Sequence, residues 1–220
     1  MQLIALSPAF PHTSKSLYQV FKAAPTSYKA QYIIRSIFSQ KRAATTGIFT
    51  RALRYPLCNK DVLGILHQRL GDVTQAASCG LPKWLFRNLN PSSQGQSLTG
   101  SDEPLSFLQY LYNIPGLRPD PNSNEGYALT RAVYARHEPL VRFLLEHGAS
   151  PSHKDGLCIQ IAIRQKNLAL FKMLMETKEI SGSRDMLKLA TKCAAWDIVV
   201  YLTQEKGVIP DLQTLLAMGR

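Results

Sequence analysis

Two stretches of this chain fall into register when one is shifted by 30 residues. Gly126-Tyr-Ala-Leu-Thr-Arg-Ala132 aligns with Gly156-Leu-Cys-Ile-Gln-Ile-Ala162, and the same shift carries Leu129 onto Ile159 and Leu144 onto Leu174. A third copy follows at Leu187-Lys-Leu-Ala190, 28 residues beyond Ala162, with Ile198-Val-Val-Tyr-Leu202 as its second apolar block. A fixed period near thirty is the mark of a solenoid, in which one small unit repeats and buries its apolar face against its neighbours.

Each unit reads as two short helices. In the best-formed copy the first spans about Ala128–Ala135, with Leu129, Ala132 and Val133 at helical spacing on one side. The second spans about Pro139–His147, where Leu140, Val141, Leu144 and Leu145 form the stripe of a buried face. Pro139 suits a first helical turn, where a missing N–H costs little. Gly148 supplies a residue that can turn left-handed and stop the helix, and Asp155-Gly156 supplies a tight turn before the next unit.

Tyr127-Ala-Leu-Thr-Arg-Ala132, then His137, then Leu140-Val-Arg-Phe-Leu-Leu-Glu-His-Gly-Ala149 resemble an ankyrin repeat. The match departs at Ala128 and Thr130, where that family has proline and histidine, and at Arg136, where it has glycine. His137 fills the family's inter-helix histidine position in this copy and Asn167 in the next. Weaker copies lie upstream. One is Thr46-Gly-Ile-Phe-Thr-Arg-Ala52-Leu53 with Val62-Leu-Gly-Ile-Leu66. Another pairs a first helix over Cys79–Leu89 with Leu105-Ser-Phe-Leu-Gln-Tyr-Leu111, which matches the second-helix block at an offset of 33. The resemblance implies an all-α ankyrin-type helical repeat solenoid of about five units over residues 45–220. It carries a polar loop inserted at 90–101 and ends in an incomplete Pro210–Met218 stretch.

Residues 1–44 follow another plan and are expected to form a helical cap on the solenoid's exposed end. Ser14 is placed to cap a helix through Phe21, and Ala30–Phe38 reads as a second helix. The pattern Pro-x-x-Ser-Lys-x-Leu-Tyr-x-Val within Leu3–Phe21 is similar to the later part of an F-box, which implies an adaptor for a ubiquitin ligase. Charge sets the same segment apart. The chain carries a net +11, yet nine of its 26 Lys and Arg precede Asp61, the first acid, so the remaining 17 face 15 acids. An acid-free basic start attracts anionic partners, nucleic acid or a membrane surface, and also resembles a mitochondrial transit peptide. No apolar run reaches the length of a membrane span.

Cys58, Cys79, Cys158 and Cys193 are dispersed without a Cys-x-x-Cys pair, which predicts free thiols, no metal site and a reducing compartment, cytoplasm or nucleus, with the mitochondrion as alternative. There is no phosphate loop, no nucleophile elbow and no His-Glu-x-x-His helix, so neither catalysis nor a cofactor is expected. His137 reads as a loop hydrogen-bonding residue; Asp155, Asp185 and Asp197 read as turn or helix-start residues. What remains is surface. The resemblance places the first helices along a concave face, with Arg54, Tyr134, Arg164 and Lys192 two residues after each unit's alanine and Arg51 and Arg131 one before. Arginine and tyrosine are enriched at binding hot spots. The leading expectation is therefore a protein-binding scaffold that holds a partner with an acidic surface on these six residues. The alternative is a nucleic-acid- or mitochondrion-associated protein acting through its basic N-terminal segment.

Overall fold

The computed structural model describes residues 14–39, 47–70, 77–89, 103–177 and 180–218, and these are mostly helical. They divide into two compact units. The first runs to Asn88 and resumes through Asp120; the second holds Leu89 and continues from Pro121.

The first unit opens with α1 (Lys15–Ala23) and α2 (Thr26–Ser39), joined at Ala24-Pro25. Leu3–Thr13, the first part of the F-box-like stretch, lies outside the described residues. Ser14 precedes α1 with extended backbone and makes no side-chain cap. The second helix begins four residues earlier than expected. Its buried face, with Ala30, Ile33 and Ile37, packs on α3 (Ile48–Ala52) and α4 (Lys60–Leu70). Phe21 meets Tyr32 edge-on at 5.0 Å, Tyr32 meets Tyr55 at 6.1 Å, and the Tyr55 hydroxyl is hydrogen-bonded to buried Ser36. A chain of rings thus fastens the N-terminal helices to the α3–α4 pair.

The remainder of this unit corrects one expectation. Cys79–Leu89 is not a single helix: it holds part of strand β1 (Ala77–Gly80) and a one-turn helix α5 (Trp84–Arg87). After α6 (Glu103–Tyr112), β2 (Leu117–Asp120) pairs in parallel with β1, Ala77 opposite Leu117 and Gly80 opposite Asp120. Pro82 has no N–H to offer a helix, and Gly80 donates its own to Thr50 Oγ1 at 2.9 Å, so the chain stays extended until Lys83. Trp84 then anchors α5 by donating Nε1–H to Leu53 O at 2.7 Å. The inserted loop at 90–101 lies outside the described residues.

The second unit repeats one design. It comprises α7 (Ser123–Tyr134) with α8 (Glu138–Glu146), α9 (His153–Arg164) with α10 (Leu168–Met175), and α11 (Arg184–Lys192) with α12 (Trp196–Val200). The last of these runs into a π-helical turn at Tyr201–Glu205, and α13 (Leu212–Met218) follows. Right-handed helix in α7 and α9 starts only at Tyr127 and Leu157. Asn124-Glu125-Gly126 and Lys154-Asp155-Gly156 are each three successive left-handed residues, the turn that Asp155-Gly156 announces. Asn122 ties one such turn to the end of α8, donating to Gly148 O at 2.9 Å and accepting from Ser150 N at 2.7 Å. Leu129, Ala132, Val133, Leu140, Val141 and Leu144 are buried, as are Ile159, Ala162, Ile163, Leu170, Phe171 and Leu174 at the same positions 30 residues on. Leu145 is only half-buried, so the second-helix stripe is narrower than the sequence pattern alone indicates.

Every first helix here closes in the same way. The N–H of His137, Asn167 and Ala195 reaches back to the carbonyl of Ala132, Ala162 and Ala190 at 3.0, 3.1 and 2.9 Å. The preceding residue bonds within that loop, Arg136 to Val133, Lys166 to Ile163 and Ala194 to Thr191. This is the Schellman closure, and it requires a left-handed residue, normally glycine. Here Arg136, Lys166 and Ala194 take it, with φ of 56°, 53° and 51°. Gly148 takes it at the end of α8, with φ of 84°.

A non-glycine residue in this conformation costs about 1–2 kcal/mol, partly offset by the chain freedom glycine loses on folding. Ala194→Gly should therefore stabilise the protein by roughly 0.5–1 kcal/mol in denaturant unfolding, and Gly148→Ala should destabilise it by about 1 kcal/mol. The opposite signs follow from one geometry occupied by two residue types.

Candidate partner-binding face

Helix α9 packs between α7 and α11, so the ends of the three first helices stand side by side. Tyr134, Arg164 and Lys192 are the last residues of these helices, and all three are exposed, Tyr134 to 43%. They stand immediately before the turns described above, each two residues beyond a fully buried alanine, which explains their alignment. A cation at a helix C-terminus also meets the negative end of the backbone dipole, so Arg164 and Lys192 sit there at no electrostatic cost.

Arg131 is placed differently. Its guanidinium lies over the Tyr134 ring at 5.1 Å from the centroid, and Nη2 donates to Leu89 O at 2.8 Å. It is half-buried, and it stiffens Tyr134 as well as contributing charge. Gln165 was not singled out by the sequence pattern. Its Nε2–H donates to Tyr134 O at 2.9 Å, joining the end of α7 to the end of α9. Its place directly after Arg164 is the only trace of this in the sequence. In the first unit, Arg54 is exposed but lies in the turn after α3, which stops at Ala52, and Arg51 is half-buried in α3. The second unit therefore brings together Arg131, Tyr134, Arg164 and Lys192, while Arg51 and Arg54 belong to the first.

The inter-helix position carries caps. His137 Nδ1 accepts from Leu140 N at 3.2 Å and Asn167 Oδ1 from Leu170 N at 3.1 Å, with the ring or amide held at the start of the second helix. Ser183 does the same for α11, accepting from Met186 N at 3.2 Å. Asp185 and Asp197 stand in the first turns of α11 and α12, where a negative charge suits the positive end of the dipole. Among the described residues no group of three or more His, Cys, Asp and Glu could hold a metal ion. No helix among them is long and apolar enough to cross a membrane.

Residues 129–175 match the family model for ankyrin repeats (many copies). Residues 129–175 carry ankyrin repeats. The matched span runs from mid-α7 to the end of α10, the part of the chain where the turns, caps and closures recur at a spacing of 30. Comparison with curated proteins and with solved structures finds no match. Ankyrin repeats are protein–protein interaction modules, and the helical content and repeated units agree with that assignment.

All four thiols are free, as expected. Cys58, Cys79 and Cys158 are buried, and loss of solvation pushes each thiol from 9.0 up to about 12; Cys193 is only half-buried. Their proton is held more tightly in the folded state than in the unfolded one. The stability this contributes is complete below pH 9.0 and is lost as pH rises toward about 12. Native protein at neutral pH should therefore yield at most one thiol to a soluble disulfide reagent, at Cys193, and four after unfolding. Stability should decline across the pH 9–12 window.

Proposed function

We propose that the ends of the first ankyrin helices bind a partner protein through an acidic segment, with Tyr134, Arg164 and Lys192 as the contacting row and Arg131 bracing the tyrosine. One observation carries this reading: three neighbouring helices present an exposed tyrosine, arginine and lysine at one structural position. Tyrosine supplies rigid contact area with few rotors, and arginine can hold a carboxylate by two parallel hydrogen bonds. The role is one of holding a partner without catalysis. Arg51 and Arg54 belong to the first unit and are not part of this row. In its finer form the partner is a substrate presented to a ubiquitin ligase, a role that rests on the F-box-like pattern of Leu3–Phe21.

The structure chooses the test. Arg131→Glu would also break the bond to Leu89 O and the contact with Tyr134, and Lys172→Glu would place a carboxylate against Glu205, which Lys172 now pairs at 3.0 Å. Arg164 and Arg142 are both exposed, the first on α9 and the second on α8. For a partner recovered with the full chain, Arg164→Glu should weaken affinity by about tenfold or more, measured by calorimetry, with the melting temperature unchanged. Arg142→Glu should leave affinity nearly intact. Equal losses would show that net charge, not this row, drives association.

A further inference from the structure

Helix α2 has a second face. Its buried residues, Ala30, Ile33 and Ile37, look toward α3 and α4, and the opposite side carries Tyr28, Gln31, Arg35 and Phe38, all exposed. At about 100° per residue these four fall within roughly 80° of arc, so they form one ridge along the helix. Tyr28 is 47% exposed and Phe38 51%. On α1, Val20 is 65% exposed. Residues 14–39 contain Lys15, Lys22, Lys29 and Arg35 and no acid, and Lys41 and Arg42 follow in the chain. Lys29 donates from Nζ to Lys22 O at 2.8 Å, which holds one cation at the junction of the two helices.

We infer that this helical pair docks on an anionic lipid surface, with the Tyr28–Phe38 ridge of α2 at the headgroup layer. The proposal is independent of the row on the first ankyrin helices, which belongs to the second unit. Shape favours a membrane over nucleic acid. Single strands are held in grooves that track their backbone with several cations and stack successive bases. Here the rings stand ten residues, about 15 Å, apart on a convex helix, and Arg35 is the one cation on the ridge between them. A ridge of this kind meets a plane along its whole length, with its rings at the depth that amphipathic aromatic residues prefer. A second copy of the chain is disfavoured because it would bring two acid-free surfaces together. Each cation near an anionic leaflet raises partitioning roughly fivefold, so the charge supplies attraction and the two rings supply retention.

The test is sedimentation of the full chain with vesicles of phosphatidylcholine alone, or with one third phosphatidylserine. The chain should pellet with the anionic vesicles and not the neutral ones, and salt at about 1 M should release it by shortening the screening length to about 3 Å. Tyr28→Ser with Phe38→Ser should lower partitioning by about tenfold, and Arg35→Gln by about fivefold, at unchanged melting temperature because all three side chains face solvent. Arg142→Glu should have no effect, although it lowers net charge further than Arg35→Gln. Absence of pelleting, equal pelleting with neutral vesicles, or indifference to the two ring changes would each overturn the proposal. So would a single-stranded oligonucleotide that binds through the same two rings while anionic vesicles do not.

Discussion

The second unit depends on one hydrogen bond made three times, from the N–H that opens a second helix back to the carbonyl of a buried alanine five residues earlier. That bond satisfies a carbonyl the first helix would leave bare and reverses the chain within one left-handed residue. It also sets the angle at which the second helix leaves. The donor residue then caps that helix with its own side chain where it can, as His137 and Asn167 do; Ala195 cannot. Alanine at positions 132, 162 and 190 follows from the same constraint, because all three are fully buried where two helices meet.

Burial follows from this geometry. With the same closure in every unit, Leu144 and Leu174 on the second helices and Leu202 in the turn after α12 recur as fully buried residues, and Leu129, Ile159 and Leu187 do so on the first. Neither helix of a pair has enough apolar surface to fold alone, and stacking supplies what is missing. The same regularity acts on the outside. Whatever residue stands at the last position of a first helix is displayed beside its counterparts, and this is how Tyr134, Arg164 and Lys192 come to form a row from positions 58 residues apart in sequence. The further interaction at Arg131 shows that a cation on such a face can also serve the fold.

Much of this was legible before the structure. Two apolar blocks per thirty residues and an alanine in the first of them mark both helices of each unit, and a glycine after the second ends α8, because burial and helix termination act on neighbouring residues. Less legible were features decided by distant partners. Cys79–Leu89 has the apolar content of a first helix, but Gly80, Pro82 and pairing with Leu117–Asp120 turn its start into a strand. The triple left-handed turns at 124–126 and 154–156 include Glu125, Lys154 and Asp155, residues whose local preference is otherwise, so only the flanking asparagine and glycine hinted at them. The same holds for Arg136 and Lys166, where the resemblance to ankyrin repeats marks a glycine position and the geometry persists without one. At the candidate face, alignment of the cations was legible from spacing. The guanidinium stacked on Tyr134 and the Gln165 bridge were not, since both depend on how adjacent helices meet.

The central claim is that the three alanine-directed hydrogen bonds hold each helix pair in the geometry that lets the pairs stack. Amide hydrogen exchange of the full chain under native conditions measures it directly. The N–H groups of His137, Asn167 and Ala195 should exchange with the protection of core helix amides such as those of Leu144 and Leu174, opening only when the second unit opens. Exchange at these three positions as fast as at exposed turn residues, while the helix cores stay protected, would show that the closures fray independently, and the account would be contradicted.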